Sequence, residues 1–373
     1  MAITKMKQCM NKQTVKAFII GDLGAGGQER QLTYLLKEIK KNGGRSILIV
    51  WNNSDVEKFR DEIQEYCIEV KIFDSNKSTI KKITESKRLI SKYAAASLHC
   101  FTFYLNFFCW LITIGTDTIP IGGIRSRVVL HLKTTGNILG SLSVIFPKFK
   151  ISNNQTFMTG VDNFVHKYFL KNTFIINNHL NIDLFKTHFL PIGNEFKTAS
   201  IGRLYEEKRI DLMIEVVSEL VKKGFPIKHF HAGRGVLFEK LNEKIISENL
   251  EKHFFLIGEI NDVSEFLSDK TFFIHSSDFE GFPNVIMEAM SCGKAIVTTN
   301  SGDTSFLVSD EVNGFLVPCG DKNKLIEKCI HLIQNPEEIH KMGMQGRAIA
   351  EKNFHLDELL NNTIKVYNQI CAA

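Results

Sequence analysis

The chain has 373 residues, 44% of them hydrophobic and 23% charged, and a formal net charge of +5. This composition is typical of a soluble globular protein, and the length favours two domains over one. The small positive charge gives little support for an anionic polymer as partner, so no nucleic-acid partner is expected.

The eight cysteines are scattered along the chain and include no C-x-x-C pair. Their spacing predicts neither a zinc site nor a disulfide framework, and it indicates a reducing compartment. The N-terminal stretch "MAITKMKQCMNKQTVK" lacks the apolar segment of a secretory signal. We therefore expect a cytoplasmic protein.

Short apolar runs alternate with helical stretches through the first half of the chain. The first run ends in "GDLGAGGQER", after which a helix is predicted as far as Asn42. Strands are predicted at 15–20, 46–51, 69–73, 118–124, 148–153 and 173–177. Strands that alternate with helices predict a doubly wound parallel sheet.

One stretch of the first half is long and uncharged. Residues 93–115, "YAAASLHCFTFYLNFFCWLITIG", carry no formal charge and are long enough to cross a bilayer. The stretch is not uniformly apolar, because it contains His99, Thr102, Tyr104, Asn106 and Thr113. We favour a buried strand near 94–99 followed by a core helix near 103–114, and the alternative is a transmembrane helix.

The same alternation restarts in the second half of the chain. Strands are predicted at 198–204, 227–233, 254–260, 271–277, 294–299 and 314–318. We therefore predict an α/β fold with two Rossmann-like domains that face a central cleft. The predicted boundaries are 1–185 and 186–355, with a closing helix in 356–373 that packs back on the first domain.

The segment "DFEGFPNVIMEAMSCGKAIV" (278–297) contains two glutamates at E-x7-E spacing. Pro283 suits the first position of a helix, so Glu280 is predicted in the loop before the helix and Glu288 on its second turn. Because a predicted strand precedes this loop, Glu280 lies at the carboxyl edge of the sheet, where open α/β sheets bind ligands.

Polar residues follow two other predicted strands of the second half. Arg203 and Lys208 lie between a strand and a helix, where two cations and a helix N-terminus suit a diphosphate. After a further strand, Gly233 allows the backbone to approach a ligand closely. Each feature alone has a simpler explanation: a surface pair for Arg203 and Lys208, and a charge at a helix start for Glu280.

The helix that follows the glutamate loop completes this set. Its first residues, Asn284 and Val285, offer backbone N–H groups, and Glu288 is placed to accept hydrogen bonds from a ribose hydroxyl pair. Phe282 belongs to the same loop. Together these features predict a site for a nucleotide diphosphate.

The order of these segments resembles that of the retaining glycosyltransferases of family 4, which have the two-domain GT-B architecture. The matching segments are "IGRLYEEKRIDLMIEVV", "HAGRG", "LIGEI", "SSDFEGFPNVIMEAMSCGKAIVTT", "SGD" and "NGFLVP". The resemblance implies that Arg203 and Lys208 bind the donor diphosphate. It implies that Glu280 lies near the transferred sugar and that Glu288 binds the ribose.

In the first half the resemblance is looser. "GAGGQER" (24–30) resembles the family's glycine-rich loop, which implies that Gly26 and Gly27 approach the donor phosphate. Where many members have a histidine that contacts the donor sugar, this chain has Arg125 in "IGGIRSR", a pattern that resembles a branch making bacterial surface polysaccharides. Arg125 is a candidate catalytic residue, with a surface salt bridge as the alternative. His99 is a second candidate, with a satisfied core histidine as the alternative.

The resemblance implies a transfer from a nucleotide diphosphate sugar to a hydroxyl that retains the anomeric configuration. No acidic D-x-D metal motif stands in a plausible place, so no metal is expected. No cofactor is expected, uridine is the expected base, and the acceptor is expected to be a saccharide or a lipid-linked saccharide. Lysine clusters at 75–88 and 146–150 fit a solvated helix face, contact with an anionic inner membrane, or contact with an anionic acceptor.

Two other functions stay open on the sequence. A GT-B nucleotide-sugar epimerase would use cleft carboxylates as acid and base, although the order of Arg203, Lys208 and the two glutamates favours transfer. A non-catalytic nucleotide-sugar-binding subunit would keep the donor motif and differ at the first-domain histidine, as this chain does. A nicotinamide dehydrogenase is not favoured, because "GAGGQER" lacks the G-x-G-x-x-G spacing.

Overall fold

The computed structural model describes residues 14–24, 26–53, 59–125, 128, 137–158, 172–188 and 195–372. The chain forms two compact units. The first comprises Met1–His179 and Leu356–Ala373, and the second comprises Leu180–His355. Each unit contains one parallel sheet of its own.

The sheet of the first unit has seven strands in the order β3-β2-β1-β4-β5-β6-β7. The strands are β1 Val15–Ile20, β2 Arg45–Val50, β3 Glu69–Ile72, β4 Ser97–Cys100, β5 Ile119–Ile124, β6 Phe149–Ser152 and β7 Thr173–Ile175. All six strand pairs are parallel. The strand order reverses beside β1, so β1 and β4 flank the position where such sheets bind ligands.

Helices connect these strands. They are α1 Gly27–Lys41, α2 Arg60–Tyr66, α3 Thr79–Lys92, α4 Asn106–Thr113 and α5 Asn137–Ile145, and the unit is completed by the last helix of the chain, α13 Asp357–Ala372. Alternate residues of β1 serve the two faces of the sheet. Phe18 packs in one apolar cluster with residues of α1 and α13, while Ile19 packs in a separate cluster with residues of α3 and α4. The period of two therefore buries both faces of the sheet.

The uncharged stretch 93–115 forms the buried strand β4, a short 3₁₀ turn at Phe103–Leu105 and helix α4. Cys109 and Ile112 of α4 are fully buried. In the described part of the chain, no helix is both long enough and apolar enough to span a membrane. The interpretation as a strand followed by a core helix is confirmed.

The sheet of the second unit has six strands in the order β10-β9-β8-β11-β12-β13. These are β8 Phe196–Ile201, β9 Ile227–Ala232, β10 Phe254–Gly258, β11 Phe272–His275, β12 Ala295–Thr299 and β13 Gly314–Val317. The helices are α6 Ile210–Lys222, α7 Phe238–Ser247, α8 Val263–Ser268, α9 Asn284–Ser291, α10 Thr304–Leu307, α11 Lys322–Gln334 and α12 Pro336–Asn353. The predicted fold class, two doubly wound parallel sheets, is confirmed.

Two local expectations need correction. Pro283 is the N-cap of α9 and not its first residue, with φ −74° and ψ 107°. This extended ψ ends the loop one position later than predicted, and Glu288 still lies on the second turn. In addition, Cys371 is disulfide-bonded, which the cysteine spacing did not predict, whereas Cys67, Cys100 and Cys319 are among the free thiols.

Candidate active site

The strongest candidate site lies in the second unit, where β8 and β11 end side by side in the parallel sheet. The chain leaves β8 into a 3₁₀ turn at Glu206–Lys208 that carries Lys208. It leaves β11 into the loop that carries Glu280. The Lys208 Nζ lies 2.6 Å from the Glu280 Oε1, with the two side chains only 20% and 10% exposed. Parallel strands thus bring together two residues that are 72 positions apart.

Two further side chains contact the same carboxylate oxygen. The His275 Nε2 lies 3.0 Å from the Glu280 Oε1, and the Ser277 hydroxyl donates to this oxygen at 2.7 Å. On its other side, the His275 Nδ1 lies 3.1 Å from the hydroxyl oxygen of Thr298 on the neighbouring strand β12. Lys208, His275, Ser277 and Glu280 therefore form one connected cluster, which we call the carboxylate cluster.

The electrostatics of the carboxylate cluster keep Glu280 ionised. Burial by itself would raise the pKa of Glu280, because it disfavours the charged form. The ammonium of Lys208 and the hydrogen bond from His275 outweigh burial and leave the pKa below its usual range. A carboxyl group held ionised in this way serves as an acceptor or as a fixed negative charge, and it does not serve as a general acid near neutral pH.

Backbone hydrogen bonds fix the loop that carries Glu280. At its start, the Asp278 N–H donates to the Glu207 carbonyl at 2.9 Å, and at its end the Gly281 carbonyl accepts from the Asp303 N–H at 3.0 Å. Gly302 has φ +58°, and a β-carbon at this position would collide with the Glu280 carbonyl. Close backbone packing on the far side of the loop therefore requires glycine at 302.

The turn that carries Lys208 is fixed in a similar way. The Ser276 hydroxyl lies 3.0 Å from the carbonyl oxygens of both Lys208 and Arg209. The Arg209 guanidinium donates to the Asp278 carboxylate at 3.0 Å, and Arg209 itself adopts the left-handed conformation with φ 51°. The ends of β8 and β11 are thus joined by main-chain and side-chain bonds on both sides of the Lys208–Glu280 pair.

The other residues predicted to bind the donor lie around this cluster in different environments. Glu288 is on α9 and is only 2% exposed, and Phe282 is buried with its ring 5.7 Å from that of Phe354. Asn284 and Val285 form the first turn of α9 and are half-buried. They present the start of an eight-residue helix beside the Glu280 loop.

Arg203 and Gly233 occupy the loops after β8 and β9. Arg203 is exposed, and its guanidinium lies 5.0 Å from the centre of the Tyr205 ring. Gly233 has φ +152°, and a β-carbon there would collide with the Gly202 carbonyl. The need for glycine at 233 therefore comes from close contact between two loops of the protein, before any ligand is considered.

The candidates of the first unit form a separate group. Gly26 is the N-cap of α1 and Gly27 its first residue, and both are exposed. The Gln28 amide and the Gly21 N–H both donate to the Thr102 hydroxyl at 2.9 Å, which ties the start of α1 to β1 and to the segment after β4. The glycine-rich loop thus leads from the carboxyl end of β1 into α1, as its sequence predicts.

His99 lies on β4 and is only 2% exposed. Its Nδ1 is 2.9 Å from the Tyr367 hydroxyl of α13, but its Nε2 has no hydrogen-bond partner among the described residues. Burial, and to a smaller extent the charge of Arg125, lowers the pKa of His99 well below its usual value. His99 is therefore a neutral core histidine with one of its two nitrogens unsatisfied.

Arg125 follows β5 and is not part of a surface salt bridge to any described residue. Its guanidinium lies 4.1 Å from the centre of the Phe101 ring, and its Nε has no hydrogen-bond partner in the described structure. Burial lowers its pKa to about 10. A cavity of about 20 Å³ is lined by Gln31, Leu35, His99, Phe101, Arg125, Ile151, Ile176, Asn177, Leu359 and Thr363.

Sequence reasoning missed the residues that surround Glu280. His275 ends strand β11 and Ser277 lies in the loop that follows, in "FIHSSDFE". Their position at the end of a buried strand was the available signal.

Among the described residues, no group of three or more His, Cys, Asp or Glu side chains is arranged to hold a metal ion.

Comparison with known proteins places the second unit in a family. The sequence profile of the glycosyl transferases group 1 matches residues 184–349. The matched segment includes the whole carboxylate cluster together with Arg203 and Glu288. It covers less than half of the chain, and the first unit lies outside it.

Two curated relatives are similar to this chain over only part of their length. The chain is 27% identical over 206 residues to poly(ribitol-phosphate) alpha-N-acetylglucosaminyltransferase of Staphylococcus aureus, covering 55% of this chain and 41% of that protein. It is 33% identical over 168 residues to the N-acetylgalactosamine-N,N'-diacetylbacillosaminyl-diphospho-undecaprenol 4-alpha-N-acetylgalactosaminyltransferase of Campylobacter jejuni, covering 44% of this chain and 45% of that protein. The matches thus span less than half of either relative.

Similarity to solved structures extends over both units. The structure of HepE from Anabaena in complex with UDP-glucose aligns with a TM-score of 0.81 at 19% identity, covering 95% of this chain and 99% of that one. At this identity the likeness concerns the fold. The chain therefore has the GT-B fold, and its residues 184–349 form a domain of the glycosyl transferases group 1.

Proposed function

We propose that the protein is a glycosyltransferase that moves a sugar from a nucleotide diphosphate sugar to a hydroxyl group with retention of configuration. The observation that carries this proposal is the group 1 domain at residues 184–349, which contains Lys208 and Glu280 as a partly buried pair at two strand ends. A cation that can meet a diphosphate and a carboxylate that can meet a sugar thus lie within one hydrogen bond of each other.

The proposed chemistry needs charge stabilisation more than acid catalysis. The bond between the anomeric carbon and the diphosphate oxygen breaks, and the acceptor oxygen bonds to the same face of that carbon while its proton passes to the departing diphosphate. Negative charge grows on the diphosphate, where Lys208 and Arg203 would stabilise it. Positive charge grows on the sugar ring, where the ionised Glu280 would stabilise it.

The donor is proposed to be a UDP-sugar, used without a metal ion. Support comes from HepE, a structural neighbour solved with UDP-glucose. The acceptor is proposed to be a saccharide or a lipid-linked saccharide of a bacterial surface polysaccharide, since the Campylobacter relative is named for transfer to a diphospho-undecaprenol-linked sugar. Such an acceptor would place the protein in the cytoplasm, at the anionic inner face of the membrane.

The test is a thermal-shift panel of UDP-, GDP- and ADP-sugars on the wild-type protein, with and without EDTA. A ligand at about 100 times its Kd stabilises the folded state by about 2.7 kcal/mol, which raises Tm by several degrees. We expect a shift with a UDP-sugar that EDTA leaves unchanged. The donor that gives the largest shift is then incubated with the protein, and the anomeric configuration of the released or transferred sugar is read by NMR.

Three results would contradict the proposal. Inversion of configuration would overturn retention, and loss of the shift in EDTA would overturn metal independence. Binding of a donor that is never turned over, with water or with any saccharide acceptor, would indicate a binding subunit.

A further inference from the structure

The three donors of the carboxylate cluster all approach one oxygen of Glu280. Lys208 at 2.6 Å, Ser277 at 2.7 Å and His275 at 3.0 Å contact Oε1. The other oxygen, Oε2, accepts no hydrogen bond from the residues that the structure describes. One end of the carboxylate is therefore fixed by the protein, and the other end is left for a different partner.

The position of the proton on His275 follows from its neighbours. An ionised carboxylate oxygen only accepts hydrogen bonds, so the His275 Nε2 must carry a proton to bond to Glu280. The Nδ1 faces the Thr298 hydroxyl, which can donate or accept. Thr298 therefore tolerates either state of Nδ1, and Glu280 determines the proton at Nε2.

Ser277 adds a second neutral donor. Its single hydroxyl proton has the Glu280 Oε1 at 2.7 Å and the His275 Nε2 at 3.1 Å as neighbours. Because Nε2 already carries a proton, the Ser277 proton goes to the carboxylate, and the Ser277 oxygen can accept from His275. The two side chains thus support each other while both donate to Glu280.

We propose that His275 and Ser277 are positioning residues that hold Glu280 by Oε1 and so direct Oε2 at the sugar of the donor. This inference rests on the proposed function. It also explains why three donors share one oxygen. In the proposed reaction Lys208 turns to the diphosphate, and His275 and Ser277 then remain to keep the carboxylate in place.

Two substitutions at His275 separate positioning from simple packing. In His275→Gln, the side-chain amide can place an N–H near the position of Nε2 and can still reach Glu280. In His275→Asn, the shorter amide mimics Nδ1, so it keeps the contact with Thr298 and loses the one with Glu280. If His275 acts only through its contact with Thr298, His275→Asn should keep more activity. If it positions Glu280, His275→Gln should keep more activity.

The first readout is turnover of the UDP-sugar selected by the thermal-shift panel, measured as release of UDP, together with the Kd for UDP. A hydrogen bond to a charged group is worth about 10- to 100-fold. We expect His275→Asn to lower kcat by that factor with the Kd for UDP within about threefold of wild type, and His275→Gln to recover most of the loss. Ser277→Ala should give a smaller loss of the same kind. Equal loss in both His275 variants, or no loss in either, would overturn the proposal.

The second readout does not depend on turnover. Long-range ¹H–¹⁵N NMR spectra of histidine side chains report which ring nitrogen carries the proton, and the His275 signals are assigned by their disappearance in His275→Gln. We expect a proton on Nε2 in the wild type and a changed Nε2 signal in Glu280→Gln. A bare Nε2 in the wild type would overturn the positioning geometry. A protonated Nε2 in a protein that turns over no donor would leave that geometry standing and remove the proposed function.

Discussion

Among the described residues, the carboxylate cluster of the second unit contrasts with the cluster around Arg125 in the first unit, which comprises His99, Arg125 and Asn177. The two differ in how far their hydrogen bonds are satisfied. In the second unit, Glu280 receives three donors on one oxygen and forms a partly buried pair with Lys208. In the first unit, the His99 Nε2, the Arg125 Nε and the Asn177 Oδ1 have no partner among the described residues, although all three side chains line one cavity.

The carboxylate cluster is therefore a preorganised site, whereas the cluster around Arg125 lowers the stability of the fold. The carboxylate cluster holds the negative charge of Glu280 in place before any ligand arrives, which is the arrangement that electrostatic catalysis requires. A buried polar atom without a partner costs about 1–3 kcal/mol, so the cluster around Arg125 lowers the stability of its unit. The cluster whose hydrogen bonds are satisfied lies in the group 1 domain, and the cluster with unsatisfied polar atoms lies in the first unit, which the family profile does not match.

The largest expected effect is on turnover when Glu280 is removed. Glu280→Ala should reduce kcat by about 10²- to 10³-fold or more, because the fixed negative charge beside the sugar is lost. The Kd for UDP should change little, since the carboxylate is not proposed to contact the nucleotide. Kinetics with the selected UDP-sugar and calorimetry with UDP measure the two effects.

Glu288→Ala is the control for Glu280→Ala, because it removes the second glutamate of the same E-x7-E segment. It should mainly weaken donor binding, because Glu288 is proposed to accept from the ribose. If both variants match the wild type in turnover and binding, the assignment of the donor site to the second unit is wrong.

The next effect concerns acid stability and involves both units. Burial lowers the pKa of His231, in β9, to about 4, and burial followed by Arg125 lowers that of His99 well below its usual value. Below about pH 6.5 the unfolded chain binds protons at these rings that the folded chain does not, so the free energy of unfolding falls as pH falls towards 4. Each histidine contributes up to about 1.4 kcal/mol per pH unit.

Urea unfolding at about pH 7.5 and about pH 5 measures this dependence. His231→Gln and His99→Gln should each reduce the loss of stability between the two conditions. A wild-type protein that is equally stable at both would show that these rings bind protons in the folded state.

The smallest expected effect is on folding stability, and it tests the contrast between the carboxylate cluster and the cluster around Arg125. Lys208→Met should lower the free energy of unfolding by about 2 kcal/mol, because the partly buried Glu280 carboxylate loses one charged hydrogen-bond donor. Arg125→Met should stay within about 1 kcal/mol of wild type or increase stability, because it keeps apolar contact with Phe101 and removes a desolvated charge. Urea unfolding without ligand measures both. Equal losses in the two variants would remove the distinction between the clusters.

Much of the fold could be predicted from the order of apolar runs. The strands and main helices of both units occur where the alternation predicts them, because buried parallel strands require continuous apolar stretches. The uncharged stretch 93–115 was the ambiguous case, since the same composition suits a membrane helix. Packing of Cys109 and Ile112 against the sheet decided it, and such long-range contacts are not visible in local composition.

Part of the candidate site was also predictable from the order of strands along the chain. The sequence alone determined that Lys208 and Glu280 follow parallel strands and so lie at one edge of the sheet, because strand direction fixes which ends meet. Only the tertiary structure decided that they form a pair and that His275 and Ser277 share the Glu280 oxygen. It also decided that Arg125 lies over Phe101 with no salt bridge to a described residue. Those outcomes depend on side-chain positions within a few ångströms across neighbouring strands, and spacing along the chain does not specify them.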